Sequence, residues 1–269
     1  MKISSQKIAE RARFSTIHMT SRAKAAHVGS SLSVIDILSV LFSEITSVST
    51  AGETDEDLVF VSKGHAAAGT YSVLAHTGYF PVDWLDTYCE NDSPLIGHVN
   101  KYGVPGVAHS TGSLGHALPF ACGKALASIR QGSSRRYYVV LSDGECDEGS
   151  NWEAALVASH LSLTNLTVLI DRNRLQSLQG TEETIALEPL ADKWKSFGWD
   201  VEVIDGHNHT EIHRSAFGKI ENRSKPKVVI CETIKGYGVS FMENSVLWHY
   251  KSPTGEFLTD ALEELGRRE

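Results

Sequence analysis

Cysteine is scarce in this sequence. Among 269 residues there are four, Cys89, Cys122, Cys146 and Cys231, with no CxxC pair. That spacing argues against a disulfide framework or a zinc knuckle and fits reduced thiols in a cytoplasmic compartment. Basic residues are also outnumbered, 25 Lys and Arg against 33 Asp and Glu, for a net charge of -8. A chain of that sign is a poor nonspecific partner for nucleic acid or an anionic membrane, although a local basic pocket remains compatible with it. Long apolar runs are missing. The uncharged stretch between Lys101 and Lys124 holds five glycines, two prolines and two histidines. It reads as loops feeding a packed helix, not as a membrane span. Residues 1–14 carry Lys2, Lys7, Glu10, Arg11 and Arg13 with no apolar core, which does not suit a secretory signal. There is no internal repeat, low-complexity tract or Ser/Pro linker.

What is present is an ordinary globular balance, 41% hydrophobic and 22% charged, enriched in glycine (22) and histidine (12). Short β-branched runs at 58–61, 137–141, 166–170, 201–204 and 227–231 alternate with helical patterns. The helical windows are about 4–24, 33–45, 65–77, 115–131, 150–161, 188–197 and 209–222. Strand runs apolar on both faces, with helices between them, predict an α/β fold. The expected sheet is doubly wound and mostly parallel, with helices on both faces. We expect one such domain over residues 1–269.

In such sheets ligands bind beyond the carboxyl ends of the strands. Every exit here is polar. Ser62-Lys63-Gly64-His65 follows the first run, Ser142-Asp143-Gly144-Glu145 the second and Asp171-Arg172-Asn173-Arg174 the third. Asp205-Gly206-His207 and Thr233-Ile234-Lys235-Gly236 follow the last two. Any one exit is explained by turn chemistry, which favours Gly and Asp; five together suggest more. Asp143 and Asn173 lie 30 residues apart, the length of one strand–helix–strand repeat, so both fall on the same sheet edge. A carboxylate and an amide oxygen are hard donors suited to Mg²⁺ or Ca²⁺ beside a phosphate. The helix near 150 is expected to point its free N–H groups at that anion. Glu145 and Asp147 are read as acids at a helix start. The His207/His209 pair lacks a third ligand at metal-like spacing, so zinc is discounted. Trp152, Trp194 and Trp199 read as packing residues.

Taken together the motifs resemble those of transketolases. Asp143-Gly144 with Asn173 resembles the thiamine diphosphate motif, in which GDG precedes Asn. The segment from His27 through Gly29, Ser30 and Leu32 to Ser33 resembles GHPGxxLS, and Ser62 to Ala66 resembles SKGHA. Gly97-His98, Ser110 to Gly115 (STGSLG), Glu148 to Ala154 (EGxxWEA), Asp205-Gly206-His207, Lys235-Gly236 and Trp248-His249 follow in family order.

The resemblance implies the diphosphate-binding half of a split transketolase. The metal, Mg²⁺ or Ca²⁺, is then expected on Asp143, Asn173 and the carbonyl of Leu175. Gly112, Ser113, Leu114 and Gly144 are expected to line the cofactor. Ser30, His65, Lys235 and His249 are expected to hold its diphosphate or polarise the ketose. His27 and His98 are expected on substrate hydroxyls, and Glu148 on the cofactor-activating glutamate of a partner chain. That partner, a C-terminal subunit carrying the pyrimidine-binding domain, has no counterpart segment here, so an α2β2 assembly is expected. The implied reaction is two-carbon ketol transfer between sugar phosphates. Some positions depart from the pattern: Ser142 for the first Gly of GDG, Val28 for Pro, His116 and Ala117 for Gln-Gly, and Tyr250 for Gly. Two other readings stand beside it. One is half of a 1-deoxyxylulose-5-phosphate synthase-like carboligase, and the other is a cofactor-binding subunit without turnover.

Overall fold

The computed structural model describes residues 3–45, 56–218 and 224–266. Five strands form one fully parallel sheet: β1 (Leu58–Val61), β2 (Tyr137–Ser142), β3 (Leu166–Arg172), β4 (Asp200–Asp205) and β5 (Lys227–Glu232). Their order is β1-β2-β3-β5-β4. All five strand runs lie where the sequence puts them, and β2 and β3 are neighbours, with Ser142 opposite Asp171.

The central strands read as unbroken apolar runs because helices cover both sheet faces. On one face Tyr138, Val140, Leu169 and Val229 pack against α1 (Ser5–Ala23), α2 (Val28–Glu44), α3 (Ala67–Thr77), α8 (His209–Phe217) and α9 (Glu256–Gly266). On the other, Val139, Leu141, Val168 and Ile230 meet α4 (Ala117–Arg130), α5 (Gly149–His160) and α7 (Leu190–Ser196). The pleat sends successive side chains to opposite faces, so one strand feeds two cores. Trp194 and Trp199 lie in the second core with rings 4.9 Å apart, and Trp152 packs 5.2 Å from Trp194, as packing residues do. All four cysteines are free thiols.

Several expectations are corrected. The helix expected over 33–45 starts earlier, at Val28, directly after His27 in a left-handed turn (φ 72°). Every residue from Val28 to Ser43 is buried, so α2 has no polar face to mark its start. The run at 201–204 is not apolar on both faces. β4 is the outer strand beside β5, and its Val203 is 52% exposed. Helix α9 (Glu256–Gly266) lies beyond the last helical window expected, and its Ala261 and Leu265 are buried in the core. The tail of the 209–222 window, residues 219–222, lies outside the described residues. A short helix, α6 (Thr181–Thr184), was not expected.

Candidate active site

The exits of β1, β2 and β3 and the loop after β5 converge at one end of the sheet. Between them lies a cavity of about 250 Å³. Of the expected site residues, His27, Ser30, His65, His98, Gly112, Leu114, Asp143, Gly144, Asn173, Leu175 and His249 line it. Ser113 and Glu148 are exposed outside it. Lys235 is buried behind its wall.

Four imidazoles gather there. The His27 ring centre lies 5.4 Å from His65, 5.8 Å from His98 and 5.0 Å from His249. His27 and His249 are also joined through the backbone, N–H to carbonyl, at 2.6 Å. Burial, helped by His98, Lys235 and Lys63, pushes His27 down to about 4. Burial and Lys235 push His249 down to about 3. His65 is held well below the ordinary imidazole value by burial, then by Lys63. These three rings are therefore neutral at pH 7 and retain a lone pair each.

Two lysines supply positive charge. Lys63, wholly buried, donates to Ser30 O at 3.1 Å and is paired with Asp171. Asp171 also accepts from Ser33 Oγ at 2.6 Å and from Thr233. Burial works to raise this carboxyl, but Lys63 and these donors outweigh it and hold it below its ordinary value. Lys235 differs. Its Nζ donates to Leu175 O (3.1 Å), Gln176 O (2.8 Å) and His249 Nδ1 (3.0 Å). All three acceptors are neutral. Burial, then repulsion from Lys63, lowers the amine to about 8. A buried ammonium without an opposite charge in contact is costly, and an anion beside it offsets that cost. The cavity therefore suits a group such as a diphosphate.

Asp143 and Asn173 lie on the same sheet edge, as their spacing implies, and both line the cavity because β2 and β3 are neighbours. Asp143 Oδ1 accepts from Gly144 N at 2.8 Å, and Oδ2 accepts from Arg174 N at 2.6 Å and Arg172 Nη1 at 3.3 Å. These three donors leave about one of the carboxylate's four lone pairs. Burial, and then Asp171, push the Asp143 carboxyl up to about 6 against the pull of Arg172. Asn173 Oδ1 accepts from Leu175 N at 3.2 Å. The loop thus offers a carboxylate, an amide oxygen and the Leu175 carbonyl, a hard, all-oxygen set that fits Mg²⁺ or Ca²⁺. Among the described residues, no group of three or more His, Cys, Asp or Glu side chains is arranged to hold a metal.

The helix N-terminus reaching the cavity is not the expected one. α5 begins at Gly149 and lends no lining residue, because a short 3-10 turn over Gly144–Asp147 intervenes. α2 takes that place through Ser30 in its first turn. Glu145 lies in the first turn of that 3-10 helix, as read from the sequence, and does more than start it. It is buried and bonded to Ser62, to Gly115 N at 2.9 Å and to Ser142 N at 3.3 Å, tying three cavity loops together. Gly64 is required by contact, since a Cβ there would stand 2.4 Å from Thr111 O. His207 and His209 both bind Asp36, at 2.7 and 3.0 Å, and hold no metal-like arrangement.

Residues 4–258 match the thiamine diphosphate binding domain of transketolase. The chain belongs to this family. It is 42% identical over 241 residues, 89% of this chain and 87% of the other, to an apulose-4-phosphate transketolase subunit from Actinobacillus succinogenes. It is 36% identical to a 6-deoxy-6-sulfo-D-fructose transketolase subunit from a Clostridium species, covering 93% of this chain and 92% of that one. A solved transketolase of Pichia stipitis superposes with a TM-score of 0.89 at 26% identity over 98% of this chain. The chain spans 40% of that enzyme's length. Among the described residues, no helix is long and apolar enough to cross a membrane.

Proposed function

We propose that this chain is the thiamine diphosphate-binding subunit of a two-chain transketolase. It consists of one diphosphate-binding domain over residues 1–269 and moves a two-carbon ketol unit from a ketose donor to an aldose acceptor. A second subunit supplies the pyrimidine-binding domain and the activating glutamate in a cytoplasmic α2β2 assembly. Support for the partner comes from relatives of nearly the same length that are named as subunits. Both names denote sugars carrying an acidic substituent, which favours an anionic sugar as donor.

One observation carries the reading: a buried Lys235 with only neutral acceptors stands behind a cavity that also presents Asp143 and Asn173 from adjacent strands. Asp143, Asn173 and Leu175 O would hold the divalent metal. Ser30, Gly112, Ser113, Leu114 and Gly144 would cradle the cofactor, with Lys235 and His249 at its diphosphate. Bound thiamine diphosphate supplies the carbon nucleophile and the electron sink that let a ketose C–C bond break. The chain's own task is placement and proton traffic. His27, His65, His98 and His249 bind sugar hydroxyls, take a proton from the hydroxyl on the carbon that becomes the released aldehyde and return it to the new alkoxide of the product. Glu148, exposed on the rim, would pair with the partner's activating carboxylate.

The test is ketol transfer with thiamine diphosphate, Mg²⁺ and a ketose/aldose phosphate pair, first with this chain alone and then with the product of an adjacent reading frame. Activity confined to the mixture is expected. Pyruvate-dependent carboligation would move the chain to the synthase-like reading. A mixture that binds cofactor but turns over no ketose would move it to a non-catalytic one.

A further inference from the structure

The turn Asp205-Gly206-His207 closes β4 and forms no part of the cavity wall. His207 nevertheless grips the backbone that carries Lys235. Its Nε2 accepts the Ile234 N–H at 2.9 Å, while its Nδ1 lies 2.7 Å from Asp36 Oδ2. Asp36 is an acceptor held ionised. Burial works against its charge, but Arg13, His207 and His209 outweigh it and keep the carboxyl far below its ordinary value. An ionised carboxylate can only accept, so the Nδ1–H donates to it and Nε2 is left with the lone pair that Ile234 needs. Tyr237 stacks on the ring at 3.6 Å and 17°, and Arg13 lies 4.9 Å from the Tyr237 centre. The imidazole is thus fixed in position, orientation and tautomer.

Lys235 follows Ile234 directly. Besides its local turn bonds, this stretch is held by three hydrogen bonds: Ile234 N–H to His207, Asn244 N–H to Lys235 O at 2.9 Å and Gly236 N–H to Gly29 O at 3.0 Å. Only the first of the three ends on a side chain. A lysine has four rotatable bonds, so where its ammonium rests depends on where its Cα is pinned. The path runs from the Asp36 carboxylate through His207 to the Ile234 amide, and from there to the Lys235 ammonium beside Leu175 O. Because Nε2 is spent on a backbone amide, this Asp–His pair is not set up to move a proton in the cavity.

We propose that His207 is a positioning residue for cofactor binding, holding the Ile234 amide through its neutral Nε2 so that Lys235 is aimed at the diphosphate. The inference rests on the cofactor role given to Lys235 above. It places the third residue of the Asp-Gly-His turn in the working site although it touches neither cavity nor cofactor.

Two variants separate this role from simple packing. His207→Phe keeps a ring against Tyr237 but has no acceptor. His207→Gln restores an acceptor at the distal position. In the folded chain, Ile234 amide hydrogen exchange should speed about tenfold in His207→Phe, as expected for loss of one internal hydrogen bond, and return toward wild type in His207→Gln. A crystal structure of His207→Phe should show the Lys235 ammonium displaced from Leu175 O and Gln176 O. In the assembled enzyme, the thiamine diphosphate Kd should rise about 10-fold or more in His207→Phe. Its kcat at saturating cofactor should stay within about threefold of wild type, because the lost contact acts in binding. Recovery of the Kd by His207→Gln is the signature of the acceptor. Unchanged Ile234 exchange, an undisplaced Lys235, or equal losses in both variants overturns the proposal. A displaced Lys235 with unchanged cofactor affinity overturns the diphosphate role of Lys235 and leaves no positioning function. A wild-type assembly that binds no thiamine diphosphate counts against the cofactor reading itself, while exchange and Lys235 position still decide what His207 holds.

Discussion

Lys235 Nζ and the carbonyl oxygen of Leu175 are hydrogen-bonded at 3.1 Å. The same carbonyl is assigned to the divalent metal, so a cation and a cation donor compete for one oxygen. On the proposed reading, a bound diphosphate would give the ammonium an anion to turn to and would leave the Leu175 carbonyl free to hold the metal. Metal and diphosphate are therefore expected to bind as one unit, each weak without the other. Asp143→Asn tests this by removing the one charged metal ligand. Mg²⁺-dependent thiamine diphosphate binding by calorimetry should weaken about 100-fold or more, beyond the loss typical of outer-shell changes. The chain should still fold, with a lower Tm, because the new amide NH2 meets either Gly144 N–H or the Arg174 and Arg172 donors that the carboxylate accepted. Wild-type affinity in Asp143→Asn would remove the metal assignment.

Glu148 should separate assembly from activation. It is exposed, and its substitution away from packing changes stability by about 0.5 kcal/mol or less. Glu148→Gln is expected to fold and to co-elute with the partner subunit, yet to turn over at least about tenfold more slowly, within the range of a lost acid–base contribution. Full turnover with intact assembly would place the activating contact elsewhere.

His27 makes stability sensitive to mild acid. Its folded value of about 4 lies below the ordinary 6.5. As pH falls through 6.5 the unfolded chain takes up this proton first, so stability drops with pH down to about 4 and His27 adds no further loss below that. Urea melts at pH 7 and pH 5 should show the loss. In His27→Gln the difference between the two melts should shrink, with a remainder to which His65, His249, His76 and His109 contribute, since all four shift in the same direction. An identical pH difference in the variant would mean that His27 is not neutral in the folded chain.

Asp36 is a buried acid outside the cavity. It is 3% exposed and bonded to Arg13, His207 and His209. Asp36→Asn strands a buried guanidinium, a change that costs about 3–5 kcal/mol. Chemical denaturation should read a loss of that size. A loss under about 1 kcal/mol would show that Arg13 finds another partner or water.

Much of the cavity was legible because it sits at strand exits, and strand exits are marked by an abrupt switch from apolar runs to Gly, Asp, Asn and His. The 30-residue interval between Asp143 and Asn173 implied a shared sheet edge, and the pairing of β2 with β3 adds that their strands are neighbours. What stayed hidden were contacts between distant segments. Glu145 looks like any acid at a helix start, and nothing local says that Ser62, Gly115 and Ser142 close around it. Lys63 belonged to a recognised motif, but its pairing with Asp171 across 108 residues leaves no periodic trace. The union of Asp36 with His207 and His209 is equally silent, since each residue has an ordinary local explanation. α2 hid its own start because burial on all sides removes the alternation that marks a helix.

The 2.6 Å bond from the His27 amide to the His249 carbonyl joins two points separated by most of the chain. During synthesis the earliest cavity residue must wait for one of the last. No nascent fragment ending before residue 249 closes the pocket, however well its sheet has formed. This chain's share of the proposed cofactor site is thus complete only once residue 249 has been made, and the partner subunit's share comes later still.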